Sequence, residues 1–268
     1  MSSSYAPPLD RLLKLGAEPA RRRVWPDYRH LGLLERHVPD LVRMATDPAL
    51  HTVEERHPSA WAPVHAWRAL AQLGAGEAAA PLLALFERVG ENGWVFDELP
   101  AALGMIGPAA LPGATLLLFD EQKDEAVRVA AAQTIANVGH EHPERRGEVV
   151  ALLAKQLEDH ALQDPGFNAL LVAELVGLEA KEAAPAMEAA FAAGAVDLRV
   201  QGDWEDVQIA LGMLEERATP PTAFSPLLDW AADDAPAPPA PRTAGAREQA
   251  RKRRKAEKQS RKRNRKRK

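Results

Sequence analysis

Between residues 31 and 212 an apolar residue directly before a glycine recurs at intervals of 32 to 42 residues in six places. The pairs are Leu31-Gly32, Leu73-Gly74, Ile106-Gly107, Val138-Gly139, Val176-Gly177 and Leu211-Gly212, with glycine spacings of 42, 33, 32, 38 and 35. In four units a proline follows five to eight residues later, at Pro39, Pro81, Pro112 and Pro185. Glycine past a helix end permits a left-handed C-cap, and proline suits a first helical turn, so each unit reads as helix, turn, helix. The intervening residues keep helical spacing: Val64, Trp67, Leu70 and Leu73; Leu99, Leu103 and Ile106; Val127, Ala131, Thr134, Ile135 and Val138; Phe167, Leu170, Leu171, Leu175 and Leu178. A second apolar face, Ala80, Leu83 and Phe86, follows Gly74, and further second helices are expected at 111–118, 149–157 and 185–191. The longer gaps place loops at 47–59 and 140–147. One such hairpin cannot bury its own apolar face, so neighbours must stack. A period of roughly 30–45 residues built from helix pairs predicts an all-α fold, an α-solenoid of about five to six hairpins.

Composition agrees. The chain is 46% hydrophobic but only 5% aromatic, and alanine and leucine dominate, whereas strands favour β-branched and aromatic residues. There is no cysteine, which excludes disulfides, thiolate metal sites and a cysteine nucleophile. The opening MSSSYAPPLDRLLKLG has no cationic region followed by a long apolar run, so no secretion signal is expected. No apolar run reaches the ~20 residues that span a bilayer. A cytoplasmic location without membrane attachment is therefore expected.

The net charge of −4 averages two opposite regions. Residues 242–268 hold 15 lysines and arginines against Glu248 and Glu257, a net +13; residues 1–241 hold 19 basic and 36 acidic residues, a net −17. Four segments follow: an N-terminal piece over 1–24 with Leu9, Leu12, Leu13 and Leu15; the repeats over 25–218; a Pro/Ala-rich linker over 219–241; and the basic tail over 242–268. Seven prolines between Pro220 and Pro241 favour extended geometry in the linker. The tail has almost nothing apolar to bury and is expected to be disordered alone. Its cations are Arg251, Lys252, Arg253, Arg254, Lys255, Arg261, Lys262, Arg263, Arg265, Lys266, Arg267 and Lys268, with others before and between them. They should bind RNA, DNA or ribosomes by counterion release, and without an interleaved aromatic they should not read sequence.

The segment DEAVRVAAAQTIANVG, Asp124 to Gly139, resembles the first helix of a HEAT-like repeat of the kind found in phycobilisome lyase proteins, and WAPVHAWRALAQLG, Trp61 to Gly74, is a looser copy. More broadly, residues 25–220 resemble bacterial HEAT-repeat proteins of unassigned function through WAPVHAWRAL, ELPAALGMIGPAALP and GDWEDVQIALGMLEER. The resemblance implies the fold and little about function. The net −17 of residues 1–241 and the absence of a catalytic grouping lead to the expectation of a non-catalytic interaction scaffold that binds a protein partner on an acidic repeat surface. Some members of that group add a small zinc module at the C-terminus, for which this chain has no cysteine.

Two clusters join an aromatic to carboxylates at an expected helix start: Trp94, Asp97 and Glu98, and Asp203, Trp204, Glu205 and Asp206. Acids in a first turn oppose the helix dipole and tryptophans fill gaps between hairpins, yet on a repeat surface the same residues suit a basic peptide. Trp61, His65 and Arg68 belong to the same expected partner surface. His65 and Arg68 are three residues apart and face one way. With Trp61 and Trp94 they suggest an alternative, a pocket for a small ligand or a lyase-type reaction. His140 and His142 look like part of a metal site, but nothing nearby completes a four-ligand set. Asp203, Glu205 and Asp206 suggest a hard cation, but adjacent helical residues diverge by about 100°. No Ser/His/Asp grouping, phosphate-cradling loop or HExxH occurs, so no catalytic residue, metal or cofactor is assigned.

Overall fold

The computed structural model describes residues 4–17, 25–88 and 93–220. The linker beyond Pro220 and all the tail cations lie outside them. The described residues all belong to the first of two units into which the chain divides. Among the described residues the structure is all-helical, with no strand.

In the first unit the helices are α1 (Leu12–Leu15), α2 (Val38–Ala45), α3 (Pro48–His51), α4 (Ala62–Leu73), α5 (Ala79–Leu83) and α6 (Leu85–Arg88). They continue with α7 (Gly93–Ile106), α8 (Leu111–Phe119), α9 (Glu125–Glu141), α10 (Arg146–Glu158), α11 (Pro165–Gly177), α12 (Ala184–Ala192), α13 (Leu198–Gln201) and α14 (Trp204–Ala210). Two series emerge from their contacts. Helices α4, α7, α9, α11 and α13 touch one another in turn, and so do α2, α5, α8, α10 and α12. Among the described residues no single helix is long and apolar enough to cross a membrane; one pair of segments, Gly93–Ile106 and Pro108–Phe119, has the length and composition together but is bent by 117°.

Gly74 ends α4 as expected. It sits in the left-handed region, its N–H reaches Ala71 O and the N–H of Ala75 reaches Leu70 O at 3.1 Å, the paired bonds of a Schellman cap. Pro39, Pro112 and Pro185 stand in first turns, whereas Pro100 lies inside α7.

Gly139 departs from the expectation. It does not end a helix: α9 runs on to Glu141, and the chain turns at His142 before Pro143. The residue is small because α9 is crowded there, and a β-carbon on it would lie 3.0 Å from both Val149 and Leu178. The loop expected at 140–147 is likewise largely helical, whereas the one expected at 47–59 holds only the single turn of α3 and the start of a 3-10 turn, with 52–57 irregular between them.

Helix α4 is amphipathic in sequence but buried on every side from Ala62 to Ala71. The face left open by α2 and α7 is covered by the N-terminal segment, through Leu12 and Tyr28. Tyr5 anchors that segment by donating to Asp47 Oδ2 at 2.9 Å beneath the Arg43 guanidinium. Gln72 holds it again, accepting from the Tyr28 N–H and donating to Pro26 O.

Helices α7 and α9 approach most closely at Gly104, where a methyl group would run into Asn137 Cβ and lie 2.9 Å from its carbonyl carbon. Gly104→Ala should therefore destabilise the protein by about 1–3 kcal/mol through overpacking. Gly147, on α10 with open space around it, gives the opposite sign, because alanine there gains about 0.5–1 kcal/mol of helix propensity. Urea midpoints of the two variants, measured side by side, check both.

Candidate functional site

The all-round burial of α4 forces its polar side chains to find partners inside the protein. Arg68, 1% exposed, forks onto Glu98 of α7: Nε donates to Oε1 at 2.8 Å and a terminal nitrogen donates to Oε2. Trp67 Nε1 donates to the same Oε1 at 3.0 Å, and the Trp25 ring lies 5.6 Å from the guanidinium carbon. The Tyr28 hydroxyl also bonds Arg68 and meets His65 Nδ1 at 2.7 Å. His65 Nε2 lies 2.9 Å from Gly16 O, which only accepts, so Nε2 carries a proton. One hydrogen-bonded chain thus runs from α7 through α4 to the N-terminal segment.

This placement corrects the expectation for three residues. His65, Arg68 and Glu98 do not form a partner surface, since they are 1%, 1% and 6% exposed and engaged with one another or with the main chain. Tyr28, Trp25 and Trp67, which the sequence did not single out, complete their shell.

Trp61 and Trp94 do come together. Their rings meet edge to face at 4.6 Å and 73°, and Trp61 Nε1 donates to Glu55 O at 3.0 Å. Beside them lies a hollow of about 260 Å³ walled by Pro63, Val64 and Trp67 and bordered by His51 and Glu55. His65 and Arg68 do not line it. Burial lowers the pKa of His51.

Asp203 and Asp206 form a capping box at the start of α14. Arg217 closes over them, donating to both carboxylates, and stands 3.6 Å from Glu205, which accepts from the Thr219 N–H and hydroxyl. The Arg217 bonds hold the Asp203 carboxyl below the usual range. Trp204 packs on Phe191 at 5.8 Å. This acidic cluster is therefore occupied by the chain's own arginine. His142 presses against Gly107, and among the described residues no group of three or more His, Asp or Glu is placed to hold a metal ion.

A stripe of partly open residues crosses the first helical series. It comprises Trp94, Asp97, Ala101 and Met105 on α7, Gln133, Asn137 and His140 on α9, and Leu170, Ala173, Glu174 and Gly177 on α11. The stripes adjoin where Gly104 meets Asn137 and where Gly177 faces His140. They contain no lysine or arginine. Asp97 is exposed, and burial raises Glu174 from 4.5 to about 7. Sequence reasoning passed over Glu174, whose neighbours Leu170, Leu171 and Leu175 read as core.

Comparison with protein-family models, curated proteins and solved structures gives no match to this chain.

Truncating one partner of the buried pair leaves the other charge unpaired, so Arg68→Ala and Glu98→Ala should each cost about 3–5 kcal/mol. The double change Arg68→Met with Glu98→Leu should recover much of that in the same denaturant titrations. Glu174 supplies a pH effect. A carboxyl whose pKa rises on folding binds more protons folded than unfolded, so stability falls as pH climbs from about 4.5 to about 7. Melting temperatures of Glu174→Gln across that window should lose this slope.

Proposed function

We propose that the protein is a non-catalytic scaffold whose hairpins stack as a HEAT-like α-solenoid and whose repeat surface binds a protein partner. The basic tail tethers it to RNA, DNA or ribosomes without sequence specificity, in the cytoplasm. The observation that carries the reading is the stripe over α7, α9 and α11. It combines small, amide and carboxylate side chains without a cation, and Trp94 and Asp97 from the expected partner surface lie on it. Closer contact within the first series of helices than within the second supports an array that curves with this stripe on its inner side. A curved array offers an extended concave surface to a partner.

A second reading, a body that binds a small ligand or carries a lyase-type reaction, is favoured by the hollow beside Trp61 and Trp94.

The tether is tested by RNA binding of the full chain and of residues 1–241. The full chain should lose at least about a hundredfold in affinity between about 50 and 200 mM salt, as counterion release requires. The shortened chain should not bind. Equal binding by both would remove the tail from the function.

A further inference from the structure

We propose that the hollow beside Trp61 and Trp94 binds a small organic cation carrying N-methyl groups, a quaternary or methylated ammonium head. The proposal rests on the ligand-binding reading above and names the ligand class.

The geometry comes first. Two indoles meeting edge to face at 73° form an inside corner, and Trp67 and Pro63 extend its walls. A cation within about 6 Å of an indole face is drawn to the ring quadrupole, and methyl groups fill such a corner without needing hydrogen bonds. The volume fits. At about 260 Å³ the hollow exceeds the roughly 150 Å³ of a cavity that takes benzene, leaving room for a choline-sized head group.

Charge then selects among ligands of that size. Among the described residues the ionisable side chains on the lining are Glu55 and His51. The Glu55 carboxylate has no ion pair among the described residues. His51 is bonded through Nε2 to Ala45 O at 2.8 Å, and its burial keeps the ring neutral near pH 7. Arg88 lines an adjoining hollow with Thr52 and Leu85, on the other side of His51, which borders both. Among the described residues no lysine or arginine lines the corner, so an anion there meets the Glu55 carboxylate and is repelled. A neutral aromatic would fill the walls and leave the carboxylate unpaired. The Trp94 indole N–H, which makes no hydrogen bond among the described residues, supplies a donor for a hydroxyl or carbonyl oxygen attached to the cation.

The test titrates the full chain with choline and with 3,3-dimethylbutan-1-ol, its uncharged isostere, following tryptophan fluorescence and melting temperature. Choline should give a saturable change and raise the melting temperature by linkage. It should bind at least about tenfold more tightly than the isostere, the margin expected of a cation–π contact. Trp94→Leu should abolish the response. Glu55→Gln, at an exposed position away from the core, should weaken it several-fold with folding unchanged. A trimethyllysine peptide binding more tightly than choline would assign the head group to a protein; the reverse would assign it to a free metabolite. Equal binding by choline and the isostere overturns the cation and leaves a ligand site. No response to either, or to a panel of uncharged aromatics, overturns both.

Discussion

The ion pair between Arg68 and Glu98 is the constraint on which the first half of the structure depends. Two charges taken out of water cost several kcal/mol each, and only close geometry with additional hydrogen bonds offsets that cost. Here the fork of Arg68, the Trp67 indole N–H and the Tyr28 hydroxyl surround the pair. Meeting those demands fixes α4 against α7 and draws the N-terminal segment over α4, because Tyr28 has to be in place. A helix that repeats elsewhere as a half-open element is thereby enclosed.

Much of the helical pattern was legible, because turn chemistry is local. Gly74 is followed by the right backbone bonds, and Pro39, Pro112 and Pro185 stand where a first turn accepts proline. What was not legible depended on contacts distant in sequence. Gly139 and Gly104 are written with the same letter as Gly74, yet they are small because another helix touches them, and nothing within a few residues distinguishes the two uses. His65 and Arg68 illustrate the same limit. On an isolated helix they resemble surface residues or pocket ligands. Their partners, Tyr28 and Glu98, lie 37 and 30 residues away.

Net charge was a weak guide to the surface for a related reason. The acids of residues 203–206 are engaged by Arg217, and Glu182 is engaged by Arg146, whose bonds lower its pKa. Charges already paired within the fold do not attract a partner. Asp97 on its stripe and Glu55 at the aromatic corner have no ion pair among the described residues, and composition does not single them out.

The enclosure of α4 also bears on the order in which the chain is made. The N-terminal segment is synthesised first, yet the groups that hold it, Asp47, His65 and Gln72, follow 42 to 49 residues after the groups they bond, and Arg68 waits another 30 for Glu98. Until α7 leaves the ribosome, the first hairpin carries an arginine that cannot be buried without penalty and a leading strap with nothing to lie on. The nascent protein therefore gains its first stable structure not when its first repeat is complete but when its second arrives.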